Sequence, residues 1–122
     1  MPKKAIGFDA VRKIALTLPD VEESTAYGSP ALRLRGQLFA AIAINKSAEP
    51  NSLMVRMPFE ERDALIAEQP DIYYLADHYA PYPCVLARLA RVDPEALRDL
   101  LSMGWRFVSA QKKRPARTRR RR

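Results

Sequence analysis

Three short apolar segments between residues 31 and 57 constrain the fold more than any other feature of the sequence. Residues 31–35 alternate leucine with arginine, residues 38–44 are apolar, and residues 52–57 alternate apolar side chains with Met54 and Arg56. Such alternation is typical of strands that bury one face. Because the connections are too short for a parallel crossover, the sequence predicts an antiparallel sheet.

The connections around these strands carry recognisable turn signals. Gly36-Gln37 is predicted to form the two central residues of a tight hairpin turn, and residues 20–29 are predicted to form a loop. The short apolar segment 72–75 suits a further strand. The prolines within residues 78–83 favour an extended loop, which would lead into a strand over residues 84–92.

Helical patterns lie before, between and after these strands. Residues 8–18 place apolar side chains at helical spacing, with Asp9 as a candidate N-cap. A second helix is predicted to start at Pro58 and to end before Pro70, and a third to start at Asp93. The resulting order predicts a two-layer α+β domain, with an antiparallel sheet of about five strands and the helices packed on one face.

The net charge of +7 is concentrated at one end of the 122-residue chain. Residues 112–122 hold eight of the 21 basic residues and no acidic residue, so residues 1–111 hold 13 basic against 14 acidic residues, a formal charge of −1. We therefore expect one domain over residues 1–111 and a disordered basic tail over residues 112–122. Basic tails often bind nucleic acids without sequence specificity, which makes Lys112, Lys113 and Arg114 candidate contacts.

The strand segments carry arginines and no acidic residue. If the helices cover one face of the sheet, the alternation places arginines on the other face, where guanidinium groups suit bidentate phosphate contacts. A solvated sheet face that only needs polar side chains is the alternative. The candidate nucleic-acid contacts within the predicted domain are Arg33, Arg35, Gln37, Arg56 and Arg88.

The chain has one histidine and one cysteine, and it lacks recognisable catalytic motifs. A nucleophilic pair of His78 and Cys84 is conceivable, but a buried, inert thiol at the head of a strand is the favoured interpretation. One histidine with one cysteine is too little for a zinc site. We therefore expect a protein without catalytic activity, metal or cofactor. Aromatic residues could instead line a ligand pocket formed by Tyr27, His78, Tyr79, Tyr82 and Trp105.

The sequence favours a cytoplasmic location. The longest uncharged apolar run, residues 38–44, is too short to span a bilayer, so no membrane partner is expected. The first residues lack the apolar core of a signal peptide, and a single cysteine is compatible with a reducing compartment. The sequence does not determine the oligomeric state, and a monomer is the expectation.

Several short stretches, in their order and spacing, resemble the MmcQ/YjbR family of small bacterial proteins. They are LPDVEEST at 18–25, YGSPALRLRG at 27–36, LFA at 38–40, HY at 78–79, YP at 82–83, VL at 85–86, and VDPE at 92–95 followed by LL at 100–101 and Trp105. The resemblance covers roughly residues 8–108 and implies a CyaY-like α+β fold with a "double wing" DNA-binding arrangement. The family often has lysine where this chain has Gln37, and tryptophan where it has Cys84.

The function that follows from these observations is DNA binding without catalysis. The arginine-bearing sheet face would contact phosphates, the hairpin at Gly36-Gln37 and the loop around residues 78–82 would act as wings, and the basic tail would add affinity. The alternative is a small-molecule or protein-binding module with a pocket near His78. A concave apolar pocket at His78 favours the second function, whereas a convex sheet with exposed arginines favours the first.

Overall fold

The computed structural model describes residues 7–26 and 28–113, with side chains up to Gln111. Within these residues the chain forms six strands and three helices. They are α1 (Phe8–Ala15), β1 (Val21–Ala26), β2 (Ser29–Leu34), β3 (Gln37–Ile42), β4 (Ser52–Arg56), α2 (Phe59–Glu68), β5 (Tyr73–Tyr74), β6 (Cys84–Arg88) and α3 (Pro94–Lys113). The α3 helix therefore includes the first two residues of the predicted tail.

The strands form one open antiparallel sheet in the order β1-β2-β3-β4-β6-β5. The predicted α+β fold is confirmed. The sixth strand is β1, which lies within the segment predicted to be a loop. Its residues VEESTA show no apolar alternation, and β1 is an edge strand that pairs only with β2 along the described chain. Cross-strand hydrogen bonding has therefore overridden a weak local pattern.

The hairpin turn between β2 and β3 lies one residue earlier than predicted. Leu34 pairs with Gln37, so Arg35 and Gly36 are the central residues, and both have positive φ angles of 51° and 86°. Two positive φ angles are required by the type I′ turn that matches the twist of paired strands. The correction removes Arg35 from the sheet and makes Gln37 the first residue of β3.

The core lies between the sheet and the helices. Alternate residues of the strands face α1 and α3, which pack on the side of β2, β3 and β4, while α2 packs beside β5 and β6. Gly104 allows the close approach of α3, since an added Cβ would lie 2.7 Å from Val55 Cγ1 and 3.2 Å from the Arg56 carbonyl oxygen. The predicted N-cap of α3 is correct, because the Asp93 carboxylate accepts the Ala96 N–H at 2.8 Å.

Two further local predictions are wrong. Gly7, and not Asp9, caps α1, which ends at Ala15 instead of continuing to residue 18. Residues 77–81 form turns instead of an extended segment, because the Tyr79 and Ala80 N–H groups both donate to the Ala76 carbonyl. No helix in the described part of the chain is long and apolar enough to cross a membrane.

Candidate functional site

The face of the sheet opposite the helices, here called the outer face, has an apolar centre. Ala31, Ala41, Met54 and Leu86 lie in one row across four paired strands. Ala31 and Leu86 are fully buried and Ala41 is nearly so, although α1 and α3 pack on the other face of the sheet. Another part of the chain therefore covers some of the outer face.

The loop between β5 and β6 provides this cover. The Tyr79 carbonyl oxygen lies 3.8 Å from Cys84 Sγ, at the start of β6, and the Tyr79 hydroxyl accepts the Asn45 N–H at 3.3 Å. Cys84 pairs with the last residue of β4, whereas Asn45 follows β3 near the first residue of β4. Tyr79 of this loop thus contacts residues near both ends of β4.

A cavity of about 580 Å³ remains beside this loop. Its volume lies in the range of small-molecule sites. Alanines on neighbouring strands leave the space, and most of the lining is aliphatic. The lining residues are Ala26, Leu38, Ala41, Ile42, Ala43, Ile44, Asn45, Lys46, Met54, His78 and Tyr79. We call this cavity the outer pocket.

The structure places two of the five predicted pocket residues at the outer pocket. His78 and Tyr79 line it, with their rings edge to face at 4.9 Å between centroids. Tyr82 is outside the lining, 56% exposed, with its ring 6.3 Å from that of His78. Trp105 lies on the helical side, where its indole N–H donates to the Pro19 carbonyl at 2.9 Å. Tyr27 lies outside the described residues.

Sequence reasoning missed the floor of the outer pocket and its second loop. Ala41 and Ala43 alternate on one face of the chain leaving β3, opposite Ala31 on β2. These small side chains are the sequence signal that could have indicated the pocket, because they leave space above the sheet face. Asn45 and Lys46, from the loop after β3, could not be assigned because Tyr79, which accepts the Asn45 N–H, lies 34 residues further along the chain.

The loop that carries Asn45 and Lys46 is anchored by Arg88. The Arg88 guanidinium makes two 2.9 Å hydrogen bonds to the Glu49 carboxylate and donates to the Pro70 and Asp71 carbonyls. It also lies 4.3 Å from the centroid of the Tyr74 ring. The hydrogen bonds from Arg88 are the main reason why the pKa of Glu49 lies below its ordinary value. Arg88 thus fixes one wall of the outer pocket.

Arg62 anchors the other loop in a similar way. Its side chain is 11% exposed and donates to the Ala80 and Tyr82 carbonyls at 3.0 and 3.3 Å. It also pairs with Asp63 and lies 4.8 Å from the centroid of the Phe59 ring. Arg62 holds carbonyls of the loop between β5 and β6, and Arg88 holds the Glu49 carboxylate of the loop after β3, so both loops are tied to the fold by protein contacts alone.

The arginines predicted to bind phosphate have partners within the protein. Arg33 donates to Ser24 Oγ at 3.0 Å and to the Thr25 carbonyl at 3.1 Å. Arg35 makes a 2.6 Å ion pair with Asp20. Arg56 donates to the Leu38 carbonyl, and its guanidinium carbon lies 5.4 Å from the centroid of the Phe107 ring on α3. With Arg88, all four guanidinium groups are engaged in fixing the fold.

The candidate nucleophile Cys84 lies in an unreactive setting. Burial raises the pKa of its thiol to about 11, and the nearby Arg62 and Arg56 only partly oppose this. A thiol with this pKa is protonated at neutral pH. It is therefore unreactive, because the thiolate is the reactive form. Within the described residues, no three or more His, Cys, Asp or Glu side chains are grouped to hold a metal ion. Of Lys112 and Lys113 only the helical backbone is described, and Arg114 lies outside the described residues.

The fold and site define a class: a small α+β domain whose open sheet carries helices on one face and a loop-covered apolar pocket on the other. The family model named YjbR matches residues 16–107, and the chain belongs to the YjbR family.

Two mycobacterial sequences are similar to part of this chain, and a solved structure shares its fold. The chain is 40% identical over 42 residues to the uncharacterized proteins Mb2600 of Mycobacterium bovis and Rv2570 of Mycobacterium tuberculosis, a match that covers 34% of this chain and 33% of each relative. The chain thus spans about a third of the length of these curated relatives. The crystal structure of Deinococcus radiodurans protein DR2400, a DUF419 domain, is similar with a TM-score of 0.71 and 18% identity, over 92% of this chain and 85% of that one.

Proposed function

We propose that this protein binds a small, largely apolar molecule in the outer pocket and does not transform it. The observation that carries the proposal is the 580 Å³ cavity on a sheet face that the sequence predicted to be open and cationic. Ligand sites are typically concave and mostly apolar, with a few placed polar groups. The outer pocket has this composition, with aliphatic side chains from three strands and polar side chains from two loops.

The absence of a transforming step is part of the proposal. A thiol whose pKa is raised to about 11 is a poor nucleophile at neutral pH. His78 lies against the rings of Tyr79 and Tyr82, which suits stacking or hydrogen bonding to a ligand. Binding by preformed walls needs neither a nucleophile nor a metal.

The test uses phenylnaphthylamine, an uncharged dye that fluoresces in apolar sites. We expect saturable binding to the full chain, and binding at least about tenfold weaker for Ala43→Trp, whose indole would fill the outer pocket. Ala67→Trp is the matched control, because Ala67 is exposed on α2. Absence of dye binding, or equal binding by both variants, would refute the proposal.

A second candidate function, nucleic-acid binding, is favoured by the eight positive charges of residues 112–122. Since the sheet arginines have protein partners, we assign phosphate contact chiefly to this segment. Contact with all eight charges would give a logarithmic salt dependence of at most about −7. Replacing residues 119–122 with serine should weaken a duplex DNA gel shift at least about tenfold. An unchanged shift would contradict this assignment.

A further inference from the structure

We propose that the ligand of the outer pocket is an amphipathic anion, whose apolar body lies on the sheet and whose negative group lies at Lys46 and His78. This inference rests on the proposed function and adds the chemical class of the ligand. It follows from the distribution of charged and polar groups around the cavity.

The charged groups of the lining are all of one kind. Lys46 supplies a positive charge, and His78 can donate an N–H hydrogen bond in either protonation state. The described lining contains no aspartate or glutamate. An anionic ligand group would therefore meet a cation and a donor, and no described carboxylate of the lining would repel it.

The nearest carboxylate on the Lys46 loop is occupied by another residue. Glu49 lies three residues after Lys46, and both of its oxygens accept hydrogen bonds from Arg88. The Arg88 guanidinium on β6 therefore compensates the negative charge of Glu49. Asp77 precedes His78 in the chain but lies outside the lining. The Lys46 ammonium is thus the charge that an entering ligand would meet.

The polar lining residues all belong to loops, whereas the strands contribute only apolar side chains to the pocket. Ala41 and Met54 are strand residues and form an aliphatic floor. Asn45, Lys46, His78 and Tyr79 all belong to the two loops that flank this floor. The Tyr79 hydroxyl accepts the Asn45 N–H and can still donate its own hydrogen, because a hydroxyl has one donor and two acceptor sites. A ligand that satisfies both regions has an apolar body and a polar, negatively charged end.

Two dyes that differ by one charged group provide the test. Anilinonaphthalene sulfonate is phenylnaphthylamine with an added sulfonate, so the ratio of their dissociation constants isolates the contribution of the anion. We expect the full chain to bind the sulfonate dye about tenfold more tightly, as one charge-assisted contact would give. We expect Lys46→Gln to remove most of this preference, which is read from the ratio of the two dissociation constants because any change common to both dyes cancels in that ratio.

Two controls separate the pocket from the rest of the surface. Lys13→Gln removes an exposed charge from α1, on the helical side of the sheet, and should leave the ratio unchanged. Ala43→Trp blocks the outer pocket and reports sulfonate bound by the basic C-terminal residues. Loss of pocket-specific binding for both dyes would refute the proposed function itself. If phenylnaphthylamine still binds in the pocket, but the sulfonate dye binds no tighter or Lys46→Gln leaves the ratio unchanged, the anionic ligand alone is refuted.

Discussion

At the scale of the residue, arginines in this protein fix loops and turns. Arg88 joins the loop after β3 to the carbonyls before β5 through four hydrogen bonds. A lysine could not replace it, because an ammonium lacks the planar fork that binds a carboxylate through two parallel bonds. The sequence shows these arginines on strands, yet Glu49 is 39 residues from Arg88. Such long-range pairing decides whether a strand arginine is available to a ligand.

The Glu49–Arg88 pair predicts a pH-dependent contribution to stability. Since Arg88 holds the folded-state pKa of Glu49 below its ordinary value of 4.5, the contribution is complete above that value. It is lost as the pH falls through the lowered pKa. Glu49→Gln should therefore lower the urea midpoint at pH 7 and converge with the parent chain in acid. Glu68→Gln, at the exposed end of α2, is the control. A midpoint difference independent of pH would contradict this.

The Cys84 thiol predicts slow chemical labelling. With a pKa of about 11, about one thousandth of the folded molecules carry a thiolate at pH 8. Iodoacetamide should therefore react at least about 100-fold more slowly with the folded chain than with the chain in urea. Because the folded pKa lies above the ordinary value of 9.0, stability should also fall as the pH rises from 9 towards 11. Rapid labelling of the folded chain would show an accessible, activated thiol.

At the scale of the element, the approach of α3 to the sheet depends on one glycine. Gly104→Ala would place a methyl group 2.7 Å from Val55 Cγ1 and 3.2 Å from a backbone oxygen. The expected overpacking cost of about 1–3 kcal/mol exceeds the roughly 1 kcal/mol gain in helix propensity. Urea denaturation should therefore show a less stable chain. Gly7→Ala adds a methyl group that meets no atom within 4 Å, so it controls for the loss of a glycine at a helix position without overpacking. A more stable Gly104→Ala variant would contradict this packing.

The elements with strong local patterns were predictable from sequence, and those fixed by distant partners were not. The alternation in β2 and β4 and the Asp93 cap of α3 are local signals, and the structure confirms them. The β1 strand depends on pairing with β2. The turns of residues 77–81 are an exception, because local hydrogen bonds to the Ala76 carbonyl form them although the prolines favour an extended backbone. His78 and Tyr79 were identified as pocket residues by type, whereas the floor and Lys46 needed the strand register.

At the scale of the whole molecule, charge and pocket belong to different parts of the chain. Residues 1–111 carry a formal charge of −1, and the excess charge belongs to residues 112–122. The outer pocket is lined by residues from Ala26 to Tyr79 and lies on the opposite side of the sheet from α3. The two proposed binding activities therefore use different residues, and a substitution in one set should leave the other activity unchanged.

The outer pocket can exist only when most of the sheet is formed. Its lining comes from β1, β3, β4 and two loops, and these loops are held by Arg88 and by the bond from Asn45 to Tyr79. A ligand of this pocket binds the folded chain and not the unfolded chain, so it must stabilise the whole domain. At a free phenylnaphthylamine concentration of 100 times its dissociation constant, unfolding should cost about 2.7 kcal/mol more.

Urea denaturation with and without the dye measures this increment. Ala67→Trp should retain it, and Ala43→Trp should lose it because its pocket is filled. Dye binding without any increment would mean that the dye binds the unfolded chain equally well. In that case the preformed walls that Arg62 and Arg88 provide would contribute nothing to recognition, and the site would have to lie on a surface that exists without the sheet.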